Sequence, residues 1–194
     1  MILHDQTIGI RQFCRDDAPG LHAAVRESIL PLCTFMTWCV LDYSLQDCLT
    51  FIDKSADDWG SGKQYNFAII DVQTGTLLGS VGLNRIDRLH RCANLGYWVR
   101  QSWTQRGVAT AAIRLISRFG LIELGFQRLE IRVSGNNLAS ERVAQKAGAQ
   151  FEGVLRRRLI LADGIYDAFL YSLVSADLTQ PLPAPLAGVE NKIS

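Results

Sequence analysis

The sequence predicts an α/β protein built on a mixed sheet. Two hairpin signals call for antiparallel strands: residues 66–72 and 76–83 flank Gln73-Thr74-Gly75, and residues 151–161 and 165–174 surround Asp163-Gly164. Between the hairpins the pattern becomes strand, loop, helix, and it does so twice. Leu95-Gly96-Tyr97-Trp98-Val99 leads into Arg106-Gly107-Val108-Ala109-Thr110, after which Ala112, Ile113, Ile116, Phe119 and Leu124 recur at helical spacing. Leu129-Glu130-Ile131-Arg132-Val133 then leads through Ser134-Gly135-Asn136-Asn137 to a shorter helix around residues 140–146, with Gly148 placed to stop it. Helices set between strands, with hairpins on either side, give a mixed sheet.

The preceding elements follow in order. Ile8-Gly9-Ile10-Arg11-Gln12-Phe13 alternates apolar and polar residues and reads as a first strand. Asp16 or Asp17 caps the next helix, Pro19 sits in its first turn, and Pro31 ends it or closely follows its end. Residues 32–43 are rich in large apolar side chains without a clean period. Such a stretch suits a pocket wall or a loop over the core. Ser44-Leu45-Gln46-Asp47 is close to a capping box and opens an amphipathic helix that Gly60-Ser61-Gly62 stops. Gly79 and Gly82, inside a strand, suggest a bulge or a close backbone approach. Residues 84–91 read as a connection. The tail from Thr179 carries Pro181, Pro183 and Pro185 and reads as poorly ordered, leaving one domain over residues 1–178.

Composition removes several functions. With 194 residues the chain suits a single domain with a sizeable core, and 48% hydrophobic with 20% charged residues is ordinary for a globular protein. Twenty basic and 19 acidic residues give a net charge of +1, which offers no electrostatic case for nucleic acid or a membrane surface. Arg156-Arg157-Arg158, if on a strand, splits between two faces and is no basic stripe. No apolar run approaches the ~20 residues that span a bilayer, and the start carries no secretory signal. Five cysteines, odd in number and without zinc spacing, read as reduced thiols of a cytoplasmic protein.

The glycine loop at 106–110 is where chemistry first enters. A strand end followed by a tight loop and a helix start aims backbone N–H groups and the positive helix end at one place, which stabilises a phosphate. A side chain at Gly107 would hinder its approach.

Taken together, Asn84-Arg85-Ile86-Asp87, Leu95-Gly96-Tyr97-Trp98-Val99, Arg106-Gly107-Val108-Ala109-Thr110 and Asn137-Leu138-Ala139-Ser140, followed by Gly148 and Phe151-Glu152-Gly153, resemble the GNAT N-acetyltransferases of the RimJ/RimL type. The late Asp163-Gly164-Ile165-Tyr166-Asp167 and Tyr171-Ser172-Leu173 resemble that family's last hairpin, and the likeness covers residues 8–178. It implies a GNAT fold of about seven strands and about four helices, splayed between the fourth and fifth strands read here. It also implies acetyl-CoA as cosubstrate and no metal. Val99 would offer backbone groups to the pantetheine arm. Arg106, Gly107, Val108, Ala109 and Thr110 would bind the pyrophosphate, and Asn137 the pantetheine. Ser140 would stand near the thioester sulfur as the catalytic hydroxyl. Trp38, Asn84 and Tyr97 would wall the acceptor pocket.

The sequence departs from the family pattern at three positions. Thr104 stands where Gln or Arg often begins the loop, which matters little because the phosphate contacts are mainly backbone. Ala144 stands where many members carry the tyrosine that protonates the departing thiolate, and Asn94 where many carry a glutamate. Ser140 is then the remaining hydroxyl for the sulfur, with an ordinary helix-start serine as the plain alternative. No base is identified; His4, His22 and His90 read best as surface residues. An N-terminal α-amine, with pKa about 8 against about 10.4 for lysine, is partly neutral without a strong base. The leading reading is therefore N-acetylation of a protein N-terminus of ribosomal-protein type. Acetylation of a small amine (a polyamine, an aminoglycoside or an amino acid derivative) and a non-catalytic CoA-binding module are the alternatives. A second copy of the chain remains open as a partner.

Overall fold

The computed structural model describes residues 2–178. The proline-rich tail read at 179–194 lies outside the described residues. Eight strands make one sheet: β1 (Ile2–His4), β2 (Ile8–Gln12), β3 (Tyr65–Asp71), β4 (Leu77–Asp87), β5 (Cys92–Val99), β6 (Arg128–Ser134), β7 (Gln150–Leu161) and β8 (Gly164–Leu173). Their order is β1-β2-β3-β4-β5-β6-β8-β7, with β5 and β6 parallel and the other neighbours antiparallel. The helices are α1 (Ala18–Glu27), α2 (Ile29–Phe35), α3 (Leu45–Gly60), α4 (Val108–Arg118) and α5 (Leu138–Ala147), and a π turn, Phe119–Glu123, extends α4.

Strand alternation sends Phe67 and Ile69 of β3 to one face of the sheet and Ala68 and Ile70 to the other. The first face packs on Ile113, Ile116 and Phe119 of the α4 segment and on Ala144 and Ala147 of α5. The second packs on Leu21 and Val25 of α1, Leu32 of α2 and Ile52 of α3. Both faces are covered, and the helices are held by burial of their apolar stripes. Among the described residues no helix is long and apolar enough to cross a membrane.

Local signals hold where the chemistry is local. The Ser44 hydroxyl accepts from Asp47 N–H at 3.2 Å while the Asp47 carboxylate accepts from Ser44 N–H at 2.8 Å, a complete capping box. Several expectations need correction. Pro31 does not itself end the first helix but closely follows its end: α1 stops at Glu27 with Ser28 as its cap, and Pro31 lies in the first turn of α2, where no N–H is needed. Residues 32–43 are thus helix to Phe35 and loop beyond. Asp17 caps the preceding 3-10 turn, not α1: its carboxylate takes the Cys14 N–H at 2.8 Å and pairs with Arg11 at 2.6 Å. Residues 84–91 are not all connection, because β4 runs on to Asp87 through a bulge at Arg85, whose φ is +49°. At Arg156-Arg157-Arg158 a second bulge, with Arg157 at φ +52°, breaks the alternation, and all three are exposed.

The opening of the sheet lies where the family resemblance places it. With β1 counted, those strands are β5 and β6. Their ladder consists of Cys92–Arg128, Ala93–Leu129 and Asn94–Glu130, and ends there. The edge of residues 95–99 that faces β6 has no strand partner, while the other edge stays paired to β4 up to Gly79–Val99.

Candidate active site

Two cavities meet at that opening. A cleft of about 790 Å³ lies among α2, the end of β5, the loop after it and the starts of α4 and α5. A second cavity, about 620 Å³, is bounded by α1, the α2–α3 loop, α3 and the splayed parts of β4, β5 and β6. Phe35, Met36, Tyr97, Trp98, Asn137 and Ser140 line both, so they form the passage between them.

The first cleft presents features that can hold an anion. Gly107 is the N-cap of α4 at φ +82°, a left-handed conformation that side chains resist, and it has no side chain with which to cap the helix. Among the described residues, the N–H groups of residues 105–110 have no hydrogen-bond partner, so six donors surround the positive helix end. A Cβ added at Gly107 would meet nothing within 4 Å; the space beside it is open cleft. Arg106 extends over the Trp103 ring at 4.9 Å, and exposed Arg142 and Lys146, four apart on α5, add positive charge to the rim. The loop itself is anchored from α1. Glu27 accepts from Ser102 N–H at 2.8 Å and from Arg100 Nε at 2.5 Å, and Ser28 Oγ accepts from Gln101 N–H at 2.9 Å. Hydrogen bonding by Ser102, its side chain foremost and then its N–H, holds the Glu27 carboxyl below its ordinary value. Gly79, at φ +155°, brings β4 so close to β5 that a Cβ there would lie 2.2 Å from the Trp98 carbonyl oxygen.

Residues expected from the sequence converge here. Val99, Gly107, Val108, Ala109, Thr110, Asn137, Ser140 and Tyr97 line the first cleft, and Trp38 and Asn84 line the second with Tyr97; the Arg106 side chain lines neither and lies over Trp103, which lines the first. Asn137 Oδ1 is occupied, since it accepts Ser140 N–H at 3.0 Å and caps α5, which leaves its Nδ2 group to face a ligand. Ser140 Oγ does not bond to its own helix backbone. It lies 2.8 Å from the phenol oxygen of Tyr97. Asn84 Oδ1 accepts from Asn94 Nδ2 at 3.0 Å, so the two asparagines satisfy each other at the mouth of the opening. None of the three histidines lines either cavity. Among the described residues no group of His, Cys, Asp or Glu could hold a metal ion.

Sequence reading missed Phe35 and Met36 in the passage, Trp103 under Arg106, and the Arg142–Lys146 pair, whose helical spacing was the available signal. It also missed the charge of the second cavity. Asp47 is the sole acidic lining residue, against Lys54, Arg85 and Arg132, but Lys54 is paired with Asp58 at 2.5 Å and Arg132 with Glu130 at 2.8 Å, which leaves Arg85 as the lining cation without an ion-pair partner among the described residues. Asp47 is itself engaged by Ser44, whose hydroxyl holds the carboxyl below its ordinary value.

Known proteins match this arrangement. The family model of an acetyltransferase (GNAT) domain matches residues 7–150. The uncharacterized N-acetyltransferase YoaA of Bacillus subtilis (strain 168) is 29% identical over 131 residues, 68% of this chain and 74% of YoaA. The ribosomal-protein-serine acetyltransferase of Escherichia coli (strain K12) is 29% identical over 98 residues, 50% of this chain and 55% of that enzyme's length. The crystal structure of the microcin C7 self-immunity acetyltransferase MccE, in complex with acetyl-CoA and AMP, superposes with a TM-score of 0.81 at 25% identity, over 88% of this chain and 93% of MccE. The phosphate-ready loop, the open edge of β5 and the match over residues 7–150 agree: this chain belongs to the GNAT acetyltransferases, whose acetyl donor is acetyl-CoA.

Proposed function

We propose that the protein transfers the acetyl group of acetyl-CoA to a neutral α-amine at a protein N-terminus, with a ribosomal protein as the acceptor. In this reading the N–H groups of residues 106–110 hold the pyrophosphate, with the rim cations of Arg106, Arg142 and Lys146 near the nucleotide phosphates. The pantetheine arm pairs with the free edge of β5 at Val99 and takes a hydrogen bond from Asn137 Nδ2. The thioester then lies in the passage, the one region reached from both cavities. An amine entering from the second cavity attacks the carbonyl carbon, backbone N–H groups near Val99 face the developing oxyanion, and Ser140 serves the sulfur. Holding amine and thioester in line supplies much of the acceleration.

The observation that carries the acceptor is the make-up of the second cavity. It holds no histidine, and its single carboxylate, Asp47, is engaged by the Ser44 capping box. Such a cavity does little to remove a proton, and an α-amine at pKa about 8 needs less help than a lysine or polyamine near 10. Arg85, which has no ion-pair partner among the described residues, disfavours polyamines and aminoglycosides and favours an acceptor with neutral or acidic flanks, while Lys54 and Arg132 are neutralised by Asp58 and Glu130. Likeness to the Escherichia coli ribosomal-protein-serine acetyltransferase supports a protein substrate, which would place the reaction in the cytoplasm.

Thiol release from acetyl-CoA, followed with a panel of acceptors, tests this reading. N-terminal peptides with acidic flanks should turn over at least ten-fold faster, by kcat/KM, than spermidine or an aminoglycoside. Below pH 8 the rate should rise ten-fold per pH unit as the amine loses its proton, and level near the amine's own pKa. A plateau near pH 6.5 would reveal a histidine base and contradict the reading. Preference for spermidine would return the small-amine alternative, and no release with any acceptor would leave a CoA-binding module.

A further inference from the structure

Tyr97 is the one phenol in the passage, and its geometry poses a question of where a single hydrogen goes. Its oxygen is 2.8 Å from Ser140 Oγ and 3.0 Å from the Ser140 carbonyl oxygen. Burial, the larger effect, pushes the phenol up to about 12 despite its hydrogen bond with Ser140, so it stays protonated at working pH. The carbonyl of Ser140 is already the α5 acceptor for the N–H four residues on. If the phenol hydrogen goes to that carbonyl, the Ser140 hydroxyl must donate back to Tyr97, and its own hydrogen turns away from the cleft. If the phenol donates to Ser140 Oγ, the serine hydrogen is released toward the passage. The second arrangement uses the shorter contact, 2.8 Å against 3.0 Å.

We propose that Tyr97 is a positioning residue that donates to Ser140 Oγ and thereby aims the Ser140 hydroxyl hydrogen at the sulfur of the leaving coenzyme A. The inference rests on the reading that the 790 Å³ cleft takes acetyl-CoA. As the amine nitrogen bonds to the carbonyl carbon, the C–S bond breaks and its electron pair leaves on sulfur. The proton shed by the amine goes to water. The two hydroxyl hydrogens stay on their own oxygens, and the chain Tyr97 O–H, Ser140 O–H, S⁻ stabilises the thiolate by hydrogen bonding, each donor polarised by the next. A phenol from a strand thus stands in for the helix tyrosine whose position is filled here by the buried side chain of Ala144.

Coenzyme A itself is the probe, because thiolate formation can be followed by its ultraviolet absorbance, as the difference between complex and protein alone, without any acceptor. In the wild-type complex the bound thiol should titrate below its ordinary value of about 8.5. Tyr97→Phe keeps the ring and removes the donor; it should raise the bound thiol by about one pH unit, a ten-fold weaker stabilisation, while the affinity for coenzyme A near neutral pH changes little. Ser140→Ala should do the same, and the double variant should add almost nothing, since both belong to one chain of donors. Placing 3-fluorotyrosine at 97, a stronger donor of nearly the same size, should shift the thiol the other way, and this variant decides the matter if Tyr97→Phe folds poorly. A wild-type titration in Tyr97→Phe, or an unmoved one with 3-fluorotyrosine, would overturn the proposal. Failure of the wild-type protein to bind coenzyme A would instead strike at the reading of the cleft.

Discussion

Replacing Gly107 with tryptophan should abolish the rise in melting temperature that acetyl-CoA gives the wild-type protein. A ligand at one hundred times its Kd stabilises the native state by about 2.7 kcal/mol, which for a chain of this size is a rise of roughly 5–10 °C. Gly107 sits at the centre of six unpartnered N–H groups, and a Cβ there meets only open cleft. The indole would therefore occupy the space of the pyrophosphate. Its cost to the empty protein is the left-handed backbone at φ +82°, about 1 kcal/mol, so the variant should fold. A full acetyl-CoA shift in a folded Gly107→Trp protein would remove the pyrophosphate from this loop.

Gly79→Ala should be more damaging than its size suggests. The added methyl would lie 2.2 Å from the Trp98 carbonyl oxygen and 3.0 Å from Val99 Cα, both backbone, at a φ of +155°. Neither strand can yield without breaking the β4–β5 ladder at the place where β5 enters the passage. We expect a loss of about 3 kcal/mol, or roughly 10 °C in melting temperature, together with weakened acetyl-CoA binding because Val99 moves. Gly20→Ala in α1 is the control: its nearest neighbour, Leu77 Cβ, would stand at an ordinary 3.6 Å, and alanine favours a helix. Equal melting temperatures for the two variants would show that the β4–β5 approach is not constrained.

What the sequence made legible was local. The Ser44–Asp47 box, the hairpin at Asp163-Gly164, the helix start after Gly107 and the close approach at Gly79 each depend on a few neighbouring residues, and each forms, although the hairpin turns at Ala162 and Asp163 with Gly164 already in β8. Two bulges escaped because Arg85 and Arg157 adopt left-handed backbones that arginine seldom takes, and the positions carry no glycine to announce them. Strand β1 is only three residues long, and the break between α1 and α2 falls at a serine, not at the proline that invited it. At the site, the loop residues were readable from their spacing, and their gathering into one cleft followed from the family resemblance. The bond between Tyr97 and Ser140 joins residues 43 apart, and the charged lining of the second cavity, Asp47, Lys54, Arg85 and Arg132, is assembled from one helix and two strands. Contacts of that kind exist only once the sheet has opened between β5 and β6.

One acceptor that offers both choices decides whether acetyl transfer goes to an α-amine. A peptide with a free N-terminus, acidic flanking residues and one internal lysine would be incubated with acetyl-CoA and the protein at pH 7.5, and the modified position read by fragmentation mass spectrometry. The cavity's missing base predicts a single acetyl group on the N-terminal nitrogen, with the lysine untouched. Acetylation of the lysine in preference to the N-terminus would contradict it.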